Sequence, residues 1–350
     1  MRVLLVGTGA YPIPPTGYGG VERTIAEFAQ ALTREGHEPV IVNRVGRGRP
    51  LDEYRFALAL PDLLAKERYD VLHASTPVVA NRLAFSGRAF VYTTHSRHWF
   101  DCHGPRERFG RFLERRAVRR AAATVALTER LASVLRESAG AQRAPRIEVI
   151  PLGVDAEKFH PSWPARTGRR ALGIGIVAPM KRWELAARAL KGSGITLTIV
   201  GPTPDRPYAE RIRSAGDSVE LTGEVDEKEL IRHLAEHDFL LHPSRVEILA
   251  GVVLQAMASG LPVVAGEAVG SVVPEGEAGW TAPIGTSEEG LVGLMRERSV
   301  ELANDAALRR RLGEQARRIA ETRYSWRNVV ARHIALYERV RSEYGERAGA

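Results

Sequence analysis

The stretch HPSRVEILAGVVLQAMASGLPVVAG, His242–Gly266, says more about this chain than any other. The apolar run Phe239–Leu241 leads into it as a strand, and Pro243-Ser244 ends that run. Glu247 follows in the loop, Ala250-Gly251 opens a helix over Val252–Ser259, and Gly260 closes it before a buried strand, Pro262–Ala265. A carboxylate just ahead of a helix N-terminus, with small residues beside it, lets a ligand come close to free backbone N–H groups. That suits a sugar hydroxyl next to a diphosphate. Gln255 lies eight residues after Glu247, on the helix.

The same grammar runs outward in both directions. Ahead of it come strand Ala171–Val177, helix Trp183–Leu190, strands Thr196–Val200 and Ser218–Leu221, and helix Glu227–Glu236. The first half has strands at Val3–Val6, Pro39–Val42, Val71–His73, Phe90–Thr93, Thr124–Leu127 and Ile147–Ile150. Its helix Val21–Arg34 puts Ile25, Phe28, Ala29 and Leu32 on one face. Alternating strands and helices predict α/β architecture with mostly parallel, doubly wound sheets. His160–Arg170, with Pro161 and Pro164, reads as a linker, and Asp305–Arg347 as a basic helical tail. The expected division is residues 1–160, 161–325 and a C-terminal helix, 326–350, packing back towards the first domain. Ligands of open parallel sheets sit outside the carboxyl ends of the strands, so the expected site is the cleft between the domains.

Composition narrows the class. The 350 residues are 44% hydrophobic and 26% charged, as in water-soluble globular proteins. Cys102 is the single cysteine, which excludes an intrachain disulfide or a cysteine zinc site and fits a reducing, cytoplasmic setting. No stretch is apolar for long enough to predict a membrane span. The net charge of +8 suits an anionic partner, but there is no compact basic stripe with a recognition helix, so nucleic acid is not expected. Arginine has displaced lysine almost everywhere, and Lys181 is one of only five lysines.

Near the N-terminus, VGTGAYPIPPTGYGGVE (Val6–Glu22) resembles the start of a dinucleotide fingerprint. That fingerprint needs a helix at once, and Pro12, Pro14 and Pro15 forbid one. The helix begins only after Gly19-Gly20, which act either as an anion site at its N-terminus or as a flexible cap.

Taken together, the motifs resemble the retaining GT-B glycosyltransferases of the GT4 type. They are Gly19-Gly20-Val21-Glu22, Thr94-His95, VIPLGVDAEKF (Val149–Phe159), Gly175 with Lys181, Val200-Gly201, Leu221-Thr222-Gly223 and PSRVE…QAMASGLPVVA. The resemblance implies a GT-B fold of two Rossmann-like domains facing a central cleft. It implies a nucleotide-diphosphate sugar of the UDP or GDP type as donor, a hydroxyl acceptor, and no metal or other cofactor; no Asp-x-Asp motif occurs. The family mechanism is front-face attack, with the leaving phosphate oxygen helping to deprotonate the acceptor. By the same resemblance Gly19 and Gly20 meet the donor phosphate, and His95 stands near the transferred sugar. Lys181 stabilises the leaving diphosphate, Thr222 marks the nucleobase site, and Glu247 binds the donor sugar. The amides of Ala250, Gly251 and Val252 face the phosphates.

Three positions depart from the pattern: Gln255 replaces the second glutamate, a ribose ligand; Ile176 replaces an arginine; and Val273 aligns with a late glutamate. A non-catalytic sugar-nucleotide binder would tolerate these departures, and turnover assays separate it from an enzyme. A sugar-nucleotide epimerase of the same architecture would need further acid/base residues around the sugar. His73 reads as structural or cleft-lining, and His98, Trp99, Phe100 and His103 as an acceptor loop. In RERFGRFLERRAVRR (Arg106–Arg120), Arg108, Arg111, Arg115 and Arg119 share a helical face, with Phe109, Phe112 and Leu113 expected opposite. A solvated outer face competes there with peripheral docking to an anionic membrane or a phosphorylated acceptor.

Overall fold

The computed structural model describes residues 1–15, 19–46, 48–49, 51–95, 104–140, 146–163, 166–269 and 272–344. The chain forms two compact units, one of Met1–Gly153 with Trp326–Ala350, the other of Val154–Ser325. Each is built on a six-stranded, wholly parallel sheet flanked by helices.

In the first unit the elements are β1 (Arg2–Val6), α1 (Gly20–Arg34), β2 (Glu38–Val42), α2 (Asp52–Leu64), β3 (Val71–Ala74) and α3 (Pro77–Ala84). They continue as β4 (Val91–Thr94), α4 (Pro105–Arg120), β5 (Ala123–Ala126), α5 (Glu129–Ala139) and β6 (Ile147–Val149). Strand order is β2-β1-β3-β4-β5-β6, so the winding reverses between β1 and β3. Both faces of the sheet are covered, which is why Leu4, Leu72 and Val91 are fully buried, and with them the polar His73 and Thr94.

The second unit has β7 (Arg170–Ile174), α6 (Trp183–Leu190), β8 (Thr196–Val200), α7 (Arg206–Ala215), β9 (Val219–Gly223) and α8 (Glu227–Glu236). Then come β10 (Phe239–His242), α9 (Gly251–Ala258), β11 (Val263–Ala265), β12 (Gly279–Thr281), α10 (Glu288–Asn304) and α11 (Ala306–Arg323). Its order is β12-β11-β10-β7-β8-β9, and the reversal falls between β7 and β10. α12 (Trp326–Tyr344) belongs to the first unit, where Trp326 and His333 pack on Phe28 of α1 at ring distances of 6.1 and 4.6 Å.

The tail is helical as expected and divides in two: Asp305 caps α11 through the Leu308 N–H, that helix stops at Tyr324, and α12 starts at Trp326. Two expectations change. Residues 160–170 are not a free linker, because Trp163 seats against Gly260 and Arg166 donates to the Ser259 and Gly260 carbonyls at 2.5 Å. On α4 the phenylalanines do not lie opposite the arginines. The inward face is Gly110, Glu114, Ala117 and Val118, because the Glu114 carboxylate accepts from Tyr92 Oη at 2.7 Å; Phe109 and Phe112 are left outside.

The first unit also buries histidines. His73 is held between Tyr337 Oη (2.5 Å) and Thr93 Oγ1 (2.7 Å). Burial pushes His95 and His333 down to about 4, and His73 well below its usual value. The unfolded chain therefore holds more protons than the folded one between about pH 6.5 and 4, and stability falls as pH drops through that window. We expect the urea midpoint to fall from pH 7 to pH 5, with His333 alone contributing about 2 kcal/mol. A flat midpoint over that range would contradict neutral, buried rings.

Candidate functional site

In open parallel sheets the ligand crevice lies at the carboxyl ends of the two strands where the winding reverses. In the second unit those strands are β7 and β10, and the loops that leave them carry Gly175, Lys181 and Glu247. The topology thus brings together residues 66 positions apart. Lys181 Nζ and Glu247 Oε1 form an ion pair in which both side chains are only 15% exposed. A side chain at Gly175 would crowd this lysine, its Cβ lying 3.3 Å from Lys181 Cε.

A third member of the cluster escaped the sequence reading. His242 ends β10, is fully buried, and donates from Nε2 to Glu247 Oε1 at 3.0 Å. Its other nitrogen has no partner among the described residues, and its ring stands edge-on to Trp183 at 6.3 Å. Burial lowers the His242 pKa and outweighs the pull of Glu247, so the ring is neutral at pH 7. For Glu247, burial alone would raise the pKa, but the His242 hydrogen bond and the Lys181 charge hold it far below the carboxylate range. Both donors use Oε1. Oε2 has no hydrogen-bond partner among the described residues and can accept from a ligand.

Arg182 fixes the two loops against each other. It has φ 53°, the only positive value at a non-glycine among the described residues. Its buried guanidinium donates from Nε to the Pro243 carbonyl at 2.8 Å and from Nη2 to the Ser244 carbonyl at 3.4 Å, and it reaches Glu267 at 3.3 Å. A left-handed arginine beside a candidate ligand is strain that these carbonyl contacts hold in place. The signal for it in the sequence was faint, a second cation directly after Lys181.

On α9, Gly251, Val252 and Gln255 share the partly open face, while Val253, Leu254, Ala256 and Met257 are buried. Ala250 is the N-cap, and a Cβ built at Gly251 meets nothing within 4 Å. Gln255 Oε1 is buried with no hydrogen-bond partner among the described residues. Ile176 is partly exposed and accepts the Trp183 indole N–H on its carbonyl at 3.1 Å, whereas Val273 is buried in the unit's interior. Thr222 is exposed near the end of β9, the edge strand, with its hydroxyl on the Gly223 carbonyl at 2.9 Å.

The first unit holds the other named residues. Gly19 caps α1, and nothing lies within 4 Å of a Cβ built at Gly20. Glu22, in the first turn, turns back to accept from Thr8 Oγ1. His95, just after β4, borders a small cavity of about 30 Å³ with His73, Ser75, Thr93 and His333. His98, Trp99, Phe100 and His103 lie outside the described residues.

Two parallel α/β units with a half-buried ion pair at a strand-reversal point define a class, and comparison with known proteins gives the family. Residues 18–158 match the model of Glycosyltransferase Family 4, and residues 177–296 match that of Glycosyl transferases group 1. The chain belongs to the GT4-type GT-B glycosyltransferases. It is 29% identical to sulfoquinovosyl transferase SQD2 of Arabidopsis thaliana, over 92% of this chain and 71% of that protein. It is 31% identical to a GDP-mannose-dependent alpha-mannosyltransferase of Mycobacterium tuberculosis, over 59% of this chain and 54% of the relative. Among solved structures, sucrose-phosphate synthase from Thermosynechococcus elongatus superposes with a TM-score of 0.81 at 19% identity, covering 98% of this chain and 99% of the other.

Proposed function

We propose that the chain transfers a sugar from a nucleotide-diphosphate donor of the UDP or GDP type to a hydroxyl acceptor, with retention of anomeric configuration and without a metal ion. The observation that carries this is the Lys181–Glu247–His242 cluster at the reversal point of the second sheet, beside the open start of α9. The Lys181 ammonium balances charge building on the leaving diphosphate, the task a metal performs elsewhere. Glu247 accepts sugar hydroxyls through Oε2, and His242 is a positioning residue that holds the carboxylate in that orientation. The Ala250–Val252 amides add partial positive charge at the phosphates. Gly19 and Gly20 serve the donor phosphate from the first unit. His95, neutral at pH 7, offers the sugar a hydrogen bond without bringing a charge, and Thr222 flanks the base.

The test is a transfer assay over a panel of nucleotide sugars, with product configuration read by NMR. An α-linked product from an α-linked donor is expected, and a β-linked product would refute retention. The rate should stay nearly constant in EDTA. Loss of activity restored by Mg²⁺ or Mn²⁺ would show that Lys181 does not carry the leaving group alone.

Gln255 gives a separate expectation. A buried, unpaired carbonyl oxygen suits a ribose hydroxyl, so Gln255→Ala should weaken nucleotide binding by ~1 kcal/mol or more. Gln255→Glu should preserve or tighten it, because a carboxylate accepts both ribose hydroxyls and the α9 dipole offsets part of its charge. Calorimetry that finds both variants unchanged would remove Gln255 from the site.

A further inference from the structure

The outward face of α4 combines two features that neither water nor a simple counter-ion satisfies. Phe109 and Phe112 are 52% and 57% exposed, with their rings stacked at 6.4 Å. Phe85, after α3, is 67% exposed and carries the Arg116 guanidinium 4.5 Å above its ring. Around these rings stand Arg108, Arg115, Arg119 and Arg120, all exposed. A surface groove of about 240 Å³ is lined by Phe112, Arg115, Arg116, Arg119 and Arg120, with no acidic residue in its wall. Helical spacing explains the mixture: Arg108, Phe112, Arg115 and Arg119 follow one another at intervals of three and four, so Phe112 sits within the cationic stripe. Among the described residues, none of these five arginines forms an ion pair.

The partner must therefore bring anions and an apolar layer to the same plane. A free phosphate would answer the arginines and leave three aromatic rings in water. An apolar protein surface would cover the rings and desolvate unpaired guanidinium groups at high cost. Single-stranded nucleic acid brings phosphates and bases, but Phe109 and Phe112 already stack on each other, and a base would have to break that stack. An anionic bilayer supplies both: aromatic rings settle at the boundary of headgroups and acyl chains, and arginines meet the lipid phosphates. No helix of the described residues is long and apolar enough to cross a membrane, so the contact is peripheral.

We propose that the Phe85–Phe109–Phe112 cluster and the arginines of α4 dock the chain on an anionic lipid surface. The proposal stands apart from the donor site and survives or fails independently of it.

Flotation of the full chain with phosphatidylcholine vesicles, with and without phosphatidylglycerol, tests it. Binding only to the anionic vesicles is expected, weakening as salt rises. Arg115→Gln with Arg119→Gln should lower affinity roughly 30-fold, at about tenfold per 1.4 kcal/mol and ~1 kcal/mol per arginine. Phe109→Ser with Phe112→Ser should also lower it, at unchanged charge and an unchanged melting curve. Phe112→Trp should give emission that shifts to the blue on anionic vesicles and not on neutral ones. Absence of binding to anionic vesicles overturns the proposal. So does binding indifferent to the phenylalanine pair, which would be general attraction to a basic protein. An oligonucleotide that binds with the same residue dependence while vesicles fail would assign the face to nucleic acid.

Discussion

Glu247→Ala is expected to lower turnover about 10- to 100-fold, the weight of a charge-assisted contact of roughly 1.5–3 kcal/mol, while nucleoside diphosphate still binds. Glu247 and Lys181 hold each other, so a diphosphate has to share Lys181 with the carboxylate. Removing Glu247 frees the ammonium, and diphosphate affinity should hold or rise as transfer fails. Lys181→Ala should weaken both binding and transfer. It also strips Glu247 of its cation, leaving the carboxylate with His242 alone, so its pKa climbs towards the ordinary range and activity should fall off at a higher pH than in the parent. His242→Phe should raise KM for the donor sugar with little change in affinity for the nucleoside diphosphate. Wild-type kinetics in either the Glu247 or the Lys181 variant would mean that the pair has a structural role only.

Trp183→Ala is expected to cost about 3–5 kcal/mol, because the largest fully buried side chain in the unit is replaced by a cavity. Its ring lies close to Gly173, where a Cβ would come within 2.8 Å, and its edge walls His242. Trp183→Phe keeps most of that packing and loses the indole hydrogen bond to Ile176, worth about 1 kcal/mol. Denaturant melts of the two variants give the comparison. A loss under about 1 kcal/mol for the alanine variant would show that this ring does not brace the site.

Buried parallel strands were legible because both faces are covered and the runs are continuously apolar: Val3–Val6 and Phe239–Leu241 stand out without alignment. β12 did not, since Gly279–Thr281 is three residues long and follows a turn with no periodicity. α2 carries Pro61 inside it, a residue that normally argues against a helix. The face of α4 was misjudged because periodicity ranks phenylalanine as core, whereas the buried polar contact of Glu114 with Tyr92 set the rotation. Glu247 stood out as a carboxylate ahead of a helix N-terminus and Lys181 as a rare lysine, whereas His95 was named only through a family pattern. His242 was missed, because a histidine at a strand end carries no signal until the strand order brings it against Glu247.

In the proposed function a nucleotide-diphosphate donor sits on the second unit between the loops after β7 and β10, against the start of α9. Amide hydrogen exchange with and without saturating nucleoside diphosphate, followed by mass spectrometry, reads this directly. New protection is expected in peptides covering Gly175–Trp183 and Ser244–Gln255. Nucleotide that binds while protecting neither segment would place the donor elsewhere and contradict this placement.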